Sequence, residues 1–217
     1  LSGGPYPLVL FSHGSCGIPT QSKFLTPLLA SWGFVVVAPP HPGNTILDFP
    51  NCNTVAALGA AFAERPQDIE YVLNQVLAAD LDPLSPLFGA IDASRIAMTG
   101  HSYGGLTTYL VTAIEPRISV AVAMAPASLT NSTLPVPSLT MLGGIDSVIS
   151  NPNARAAYGR SVTPKYLVEI EHTGHYAFSD VCLSTSDCSP PTTLTSDEAH
   201  DDVLRYVVPF LKTHLAS

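Results

Sequence analysis

The strongest constraint on the fold is the segment Gly100-His101-Ser102-Tyr103-Gly104, which follows the apolar run Ile96-Ala97-Met98. A Gly-x-Ser-x-Gly motif at the end of a strand is typical of a nucleophile elbow, where the chain turns sharply into a helix and exposes the serine Oγ. The flanking glycines suit this bend because side chains there would collide with the neighbouring strand and helix. The motif therefore predicts Ser102 as a nucleophile. An ordinary tight turn in an α/β domain is the alternative.

Apolar runs separated by helical patterns predict the architecture around this elbow. The predicted strands are Leu8–Phe11, Phe34–Ala38, Arg95–Thr99, Val120–Ala123, Leu139–Leu142 and Tyr166–Ile170. The predicted helices are Ser22–Trp32, Thr54–Asp80 with an interruption at Pro66, Gly105–Ala113 and a closing helix capped by Ser196. Such alternation indicates an α/β fold with a doubly wound, mostly parallel sheet. We expect one domain over residues 1–217.

Composition narrows the classes of partner. The net charge of −8 and the isoelectric point near 5.1 argue against nucleic acid and anionic membranes, which attract basic surfaces. No run approaches the roughly 18 apolar residues expected of a membrane span. With 46% hydrophobic and 12% charged residues, the chain has the balance of a compact globular protein.

The four cysteines are Cys16, Cys52, Cys182 and Cys188. Their spacing matches neither a zinc site nor a Cys-x-x-Cys redox motif. An even count favours disulfides, most simply Cys16–Cys52 and Cys182–Cys188, although the other two pairings stay open. Disulfides predict a protein that is secreted or otherwise outside the reducing cytosol.

A serine nucleophile needs a histidine to take its proton and a carboxylate to orient that histidine. Asp146 follows the strand ending at Gly143 and is the candidate acid, with a turn-forming aspartate as the alternative. His172 and His175 are both candidate bases. We favour His175 because Thr173-Gly174 allows the loop to turn the imidazole towards the elbow.

Backbone N–H groups must also receive the negative charge that develops on the substrate oxygen. Tyr103, which opens the helix after the nucleophile, is expected to supply one of them. The loop His13-Gly14-Ser15-Cys16-Gly17 is expected to supply the second, from Ser15 or alternatively from Cys16. An ordinary glycine-rich turn is the other interpretation of this loop.

Five short segments occur in a fixed order: Phe11-Ser12-His13-Gly14, His41-Pro42-Gly43-Asn44-Thr45, Arg65-Pro66-Gln67-Asp68-Ile69, Gly100-His101-Ser102-Tyr103-Gly104-Gly105 and Gly174-His175-Tyr176-Ala177-Phe178. Together they resemble the bacterial α/β-hydrolases grouped as predicted dienelactone hydrolases. These are similar to platelet-activating-factor acetylhydrolases and, more distantly, to cutinase-like polyester hydrolases. The resemblance implies a Ser102–His175–Asp146 triad, a Ser15/Tyr103 oxyanion hole and ester hydrolysis through an acyl-enzyme, without metal or cofactor.

The chain departs from this pattern in three ways. Serine replaces the cysteine nucleophile of true dienelactone hydrolases. Tyr103 stands where cutinase-like enzymes usually have methionine, and Ser147-Val148-Ile149 where they have a tryptophan. Family members also carry additional N-terminal strands, so we expect a minimal hydrolase sheet of about six strands that lacks them.

The leading hypothesis is a secreted, monomeric serine esterase acting on small or lipid-like esters, with polyester as a further possibility. Cys16, Ile149 and Tyr176 are the candidate substrate contacts. Apolar loop residues, including Ile18, Phe49, Val148 and Phe178, line an acyl pocket or belong to the local core. A serine peptidase of the same fold and a non-catalytic binding protein on a hydrolase scaffold are the alternatives.

Overall fold

The computed structural model describes residues 3–181, 187 and 193–215. Its strands are β1 Tyr6–Ser12, β2 Val35–Val37, β3 Ile91–His101, β4 Ile118–Met124, β5 Ser138–Gly143 and β6 Lys165–Ile170. Its α-helices are α1 Thr26–Ser31, α2 Val55–Leu81, α3 Tyr103–Ile114, α4 Asn151–Arg160 and α5 Ser196–His214. No helix within the described residues combines the length and apolar character needed to cross a membrane.

The strands form one six-stranded sheet in the order β2-β1-β3-β4-β5-β6, and every neighbouring pair is parallel. This confirms the predicted parallel α/β sheet and its strand number. In a parallel sheet the carboxyl ends of all strands meet at one edge. The segments that follow β1, β3, β5 and β6 therefore start from the same edge of the sheet.

Helices cover both faces of the sheet. Along β1, Val9 and Phe11 pack in one apolar cluster with residues of α1 and α5. Leu8 and Leu10, which alternate with them, pack in a second cluster with residues of α2 and α3. Alternating side chains of a strand point to opposite faces, so both faces of β1 are buried, as its continuous apolar run predicts.

Helix α2 differs from the prediction because it continues through Pro66 for 27 residues. Proline cannot donate the backbone hydrogen bond of its turn, which costs about 3 kcal/mol. Ile69 and Leu73 are completely buried on the same helix, and each such burial contributes about 2 kcal/mol or more. Packing of this face therefore outweighs the local disruption at Pro66.

Helix α1 begins at Thr26 instead of the predicted Ser22, and two further details depart from the sequence-based expectations. Helix α4 has no counterpart in the predicted elements, and its low apolar content explains why no periodic pattern marks it. The cap of α5 is Thr195 instead of Ser196. Thr195 Oγ1 accepts from Glu198 N–H, and the Glu198 carboxylate accepts from Thr195 N–H.

Candidate active site

Ser102 lies between β3 and α3 with φ 58° and ψ −117°, a conformation rarely adopted by residues other than glycine. Its N–H donates to Met124 O over 2.9 Å, which ties the turn to β4. A Cβ on Gly100 would stand 2.2 Å from Gly104 O, and one on Gly104 would stand 1.9 Å from Ser12 O. The two glycines of the motif are therefore required by close backbone contacts, as in a nucleophile elbow.

Asp146 and His175 form a buried hydrogen-bonded pair. His175 Nδ1 lies 2.8 Å from Asp146 Oδ2, and the exposed fractions of the two side chains are 2% and 0%. The other carboxylate oxygen, Oδ1, accepts from the N–H groups of Val148 and Ile149, each over 2.8 Å. Oδ1 of Asp146 thus stabilises a turn, and Oδ2 contacts the imidazole of His175. The structure therefore shows the contacts expected of a turn-forming aspartate together with those expected of an acid beside a base.

The alternative base, His172, has a different environment. Its side chain is exposed, and its backbone is in the left-handed region with φ 57°. Its carbonyl accepts from Leu194 N–H over 2.7 Å, which attaches the loop to the segment before α5. The structure brings Asp146 to His175 and leaves His172 at the surface.

Gln21 links the loop after β1 (residues 13–17, the proposed oxyanion loop) to the loop of His175, a connection that its sequence position does not suggest. Its Oε1 accepts from Gly14 N–H over 2.9 Å, and its Nε2 lies 2.6 Å from His101 Nδ1. His101 Nε2 in turn lies 3.0 Å from the carbonyl oxygen of His175. Burial, reinforced by His175, holds the pKa of His101 well below its usual range, so this imidazole is neutral. A neutral His101 with its proton on Nε2 satisfies both contacts.

The oxyanion loop is covalently fixed by a Cys16–Cys52 disulfide, with the two Cα atoms 5.5 Å apart. This confirms one predicted pair; Cys182 and Cys188 lie outside the described residues. Cys16 is buried and has φ 53°. Ser15, the predicted oxyanion donor, is half-buried, and its hydroxyl donates to Asn53 Oδ1 over 2.6 Å. The disulfide and this hydrogen bond both attach the loop to the segment preceding α2.

The structure contains a hydrogen-bonded Ser–His–Asp series away from Ser102. Ser12 Oγ lies 2.9 Å from His41 Nε2, and His41 Nδ1 lies 2.8 Å from Asp68 Oδ2. Ser12 and His41 have no solvent exposure, so a substrate cannot reach this hydroxyl. Ser102, by contrast, is partly exposed. Accessibility therefore distinguishes the elbow serine from its buried counterpart.

Two of the three predicted substrate contacts, Ile149 and Tyr176, lie in the loops that carry Asp146 and His175, whereas Cys16 lies in the loop after β1. Ile149 and Tyr176 are both half-buried. Tyr176 N–H donates to Asp187 Oδ2 over 2.8 Å, and the same carboxylate accepts weakly from the Ser147 hydroxyl. Asp187, which the sequence analysis missed, thus joins the loop that carries Asp146 to the loop that carries His175. Phe178 is completely buried in the main core cluster, so of its two interpretations the local core is the one that the structure confirms.

The part of the chain that the structure describes contains no cluster of three or more His, Cys, Asp or Glu side chains suited to a metal ion. Three features start from the carboxyl edge of the sheet: Ser102 with its strained backbone, the buried His175–Asp146 pair, and the disulfide-bonded loop after β1. These are the components of nucleophilic acyl transfer.

The chain is similar to proteins named as cutinases and hydrolases. A family model described as PETase, PET hydrolase-like, matches residues 3–188. Cutinase 2 from Thermobifida cellulosilytica is 30% identical over 178 residues, covering 79% of this chain and 61% of that protein. Bis(hydroxyethyl) terephthalate hydrolase from Streptomyces coelicolor is 27% identical over 181 residues, covering 81% and 52% respectively. The chain thus spans about half to three fifths of the length of these relatives.

Among solved structures, a ferulic acid esterase from Streptomyces cinnamoneus superposes with a TM-score of 0.76 at 24% sequence identity. The match covers 98% of this chain and 68% of that one. At this identity the similarity concerns the fold, and it supports the α/β architecture described above.

Proposed function

The chain belongs to the PET hydrolase-like family, and on that premise we propose that it is a serine-dependent carboxylic ester hydrolase. The observation that carries the proposal is the 2.8 Å contact between His175 and Asp146 at the edge of the sheet where Ser102 is exposed. Hydrolysis of an ester requires a nucleophile, a base and a group that orients the base. This chain offers one residue for each role.

In the proposed reaction, Ser102 Oγ attacks the ester carbonyl carbon while His175 Nε2 takes the hydroxyl proton. Asp146 accepts from Nδ1–H and stabilises the imidazolium that forms. The N–H groups of Ser15 and Tyr103 donate to the oxyanion of the tetrahedral intermediate. His175 then protonates the departing alcohol, leaving an acyl-Ser102 ester. A water molecule, deprotonated by His175, attacks that ester and releases the carboxylic acid.

An apolar surface beside the oxyanion loop supports esters with apolar groups as substrates. Leu47, Phe49 and Val55 are 91%, 67% and 90% exposed. Their segment is attached to the loop by the Cys16–Cys52 disulfide and by the hydrogen bond from Ile46 N–H to Gly17 O. Asp48 is the only charged side chain between residues 42 and 63. Small and lipid-like esters suit such a surface, with Cys16, Ile149 and Tyr176 as further substrate contacts.

Polyester is a second candidate substrate, since relatives of this chain are named as cutinases and as a terephthalate ester hydrolase. The five ordered motifs additionally support a closer kinship with the predicted dienelactone hydrolases and platelet-activating-factor acetylhydrolases. The disulfide supports a secreted protein. We propose that it acts as a monomer, which the elution volume in size-exclusion chromatography tests.

Turnover of nitrophenyl esters of increasing acyl length tests the proposed activity. The wild-type protein is expected to hydrolyse the series, and Ser102→Ala is expected to be inactive while keeping the same melting temperature. Release of soluble acids from polyester particles tests the second substrate class. Absence of turnover on every ester by a folded wild-type protein would refute the proposed function.

A further inference from the structure

Arg65 is buried without exposure beneath the oxyanion loop. Its Nη1 donates to His13 O over 2.6 Å, and its Nη2 donates to Gly14 O over 3.1 Å. Nη2 also donates to Asn44 Oδ1 over 2.6 Å. The guanidinium thus lies against two successive peptide units of the loop that precedes Ser15.

These partners are neutral. Among the described residues, no carboxylate lies within ion-pair distance of Arg65, and its Nε has no hydrogen-bond partner. Burial lowers the pKa of the guanidinium to about 9, so it remains charged at neutral pH. A buried charge without a paired counter-ion is costly, and an apolar side chain of similar size commonly suits the interior better. A contribution to the stability of the fold therefore does not explain why an arginine occupies this buried position.

The geometry of the peptide unit provides that explanation. In a planar trans peptide the C=O and the following N–H point in opposite directions. Arg65 holds the carbonyl of Gly14, so the N–H of Ser15 in the same peptide unit points away from the guanidinium. The preceding unit is held at both ends, because His13 O accepts from Arg65 and Gly14 N–H donates to Gln21. Gly14 O also accepts from Gly17 N–H over 3.1 Å and lies 2.7 Å from His13 Nδ1, both within the loop. Arg65 therefore adds a contact from outside the loop to the two that already orient this peptide unit.

Arg65 also supports the other proposed donor. Its Cζ lies 5.0 Å from the centroid of the Tyr103 ring, within the range of a cation–π contact. The Tyr103 hydroxyl donates to Leu58 O on α2, the helix that carries Arg65. Asn44, held by Arg65, donates from Nδ2 to Ser15 Oγ over 3.0 Å. Arg65 therefore contacts the backbone of the Ser15 loop directly and the residue Tyr103 through its ring.

We propose that Arg65 is a positioning residue that aligns the backbone amides of Ser15 and Tyr103 for transition-state stabilisation. This rests on the proposed function. The buried Ser12–His41–Asp68 series extends the same network: Ser12 Oγ donates to neutral His41 and lies 3.4 Å from Arg65 Nη1 as an acceptor. Electrostatic interactions with Tyr103 and, to a smaller extent, with Asp68 raise the pKa of the guanidinium against the larger effect of burial.

The test compares Arg65→Met, Arg65→Lys and the control Arg95→Met. Arg95 also donates to backbone carbonyls, those of Pro5 and Leu215, but it lies near the amino end of the sheet. The measurements are kcat and KM on a soluble nitrophenyl ester, the melting temperature, and inhibition by an alkyl boronic acid, which forms a tetrahedral adduct with a reactive serine. Misaligned oxyanion donors weaken binding of the tetrahedral species more than binding of the substrate.

We expect Arg65→Met to lower kcat by on the order of 100-fold, with KM changed by less than about threefold. Boronate inhibition is expected to weaken in proportion to kcat. Arg65→Lys keeps the charge but not the planar fork of donors, so its kcat is expected to fall by about 10-fold. If Arg65→Met does not fold, Arg65→Lys alone tests the proposal. The control should match the wild type in kcat.

A folded variant of either kind with wild-type kcat, or a loss of kcat without weaker boronate inhibition, overturns this role of Arg65. An inactive wild-type protein would instead refute the proposed function itself. The two failures are distinguishable because the first requires an active wild-type enzyme.

Discussion

Gln21 Nε2 lies 2.6 Å from His101 Nδ1, although 80 residues separate the two along the chain. The contact joins the oxyanion loop, through Gly14, to the loop of the proposed base, through the carbonyl of His175. The proposed donor and the proposed base are thereby held in one hydrogen-bonded framework. Displacement of one loop by even 1 Å is expected to affect catalysis, because reacting groups tolerate little misplacement.

Gln21→Leu is expected to lower kcat by about 10- to 100-fold, because Gly14 N–H and His101 Nδ1 lose their partner and the loops are no longer aligned. Steady-state kinetics on a soluble ester measures the effect. Gln67→Leu is the matched control: Gln67 is exposed on α2 and bonds only within its own helix, to Ala63 O. Equal kinetics of the two variants would show that the Gln21 contact does not position the site.

The two candidate bases are distinguished by His175→Ala and His172→Ala. Removing His175 leaves Ser102 without a proton acceptor and Asp146 with an unpaired oxygen, so kcat should fall by at least about 1,000-fold. The kcat of His172→Ala should stay within about twofold of the wild type, because that side chain is exposed. A larger loss in His172→Ala than in His175→Ala would reverse the assignment.

The double variant Cys16→Ser, Cys52→Ser should be less stable by about 3–4 kcal/mol, since the disulfide closes a loop with a sequence separation of 36 residues. Urea unfolding measures this loss. A reducing agent should lower the stability of the wild type in the same way. The effect of the reducing agent on the double variant measures the contribution of the remaining cysteines. Equal free energies of unfolding for the oxidised wild type and the double variant would contradict the prediction.

Acid should destabilise the fold through its buried histidines. Burial, with a smaller effect of Arg65, lowers the pKa of His13 to about 3, and burial lowers those of His41 and His101. Below the unfolded value of 6.5 the unfolded chain binds protons that the folded chain does not, so stability is greatest above 6.5 and falls as the pH decreases.

Below pH 6.5 the loss in the free energy of unfolding should steepen, reaching about 1.4 kcal/mol per pH unit for each fully shifted histidine between pH 5.5 and 4.5. Urea titrations at several pH values measure this slope, and His13→Gln should reduce it by the contribution of one proton. A free energy of unfolding that stays constant over this window would show that the buried histidines are not held neutral.

Local patterns predicted much of the fold. The apolar runs around Leu8 and Val120 mark strands buried on both faces, and the Gly-x-Ser-x-Gly motif marks the turn at Ser102. Pro66 misled the prediction because its local cost is exceeded by burial of Ile69 and Leu73 on the same helix. Such packing depends on partners distant in sequence, which a periodic pattern does not reveal.

The residues of the candidate site likewise fall into those that local patterns predict and those that they do not. Asp146 and His175 follow from strand ends and chain order, and the structure pairs them. The roles of Gln21, Arg65 and Asp187 are not visible in the sequence because their contacts join segments distant along the chain. Gln21 and Arg65 contact the loop after β1, and Asp187 contacts Ser147 and Tyr176. Neither Arg65, which precedes a proline, nor Gln21, which lies in a loop, has a local sequence pattern that indicates its role.

The central claim is that Ser102 is the nucleophile of a serine hydrolase, and reaction with a serine-directed phosphonate tests it most directly. Intact mass followed by peptide mapping should show one adduct per chain, located on Ser102 and absent from Ser102→Ala. His175→Ala should react far more slowly. No adduct on the folded wild-type protein, or an adduct on another serine such as Ser15, would contradict the account.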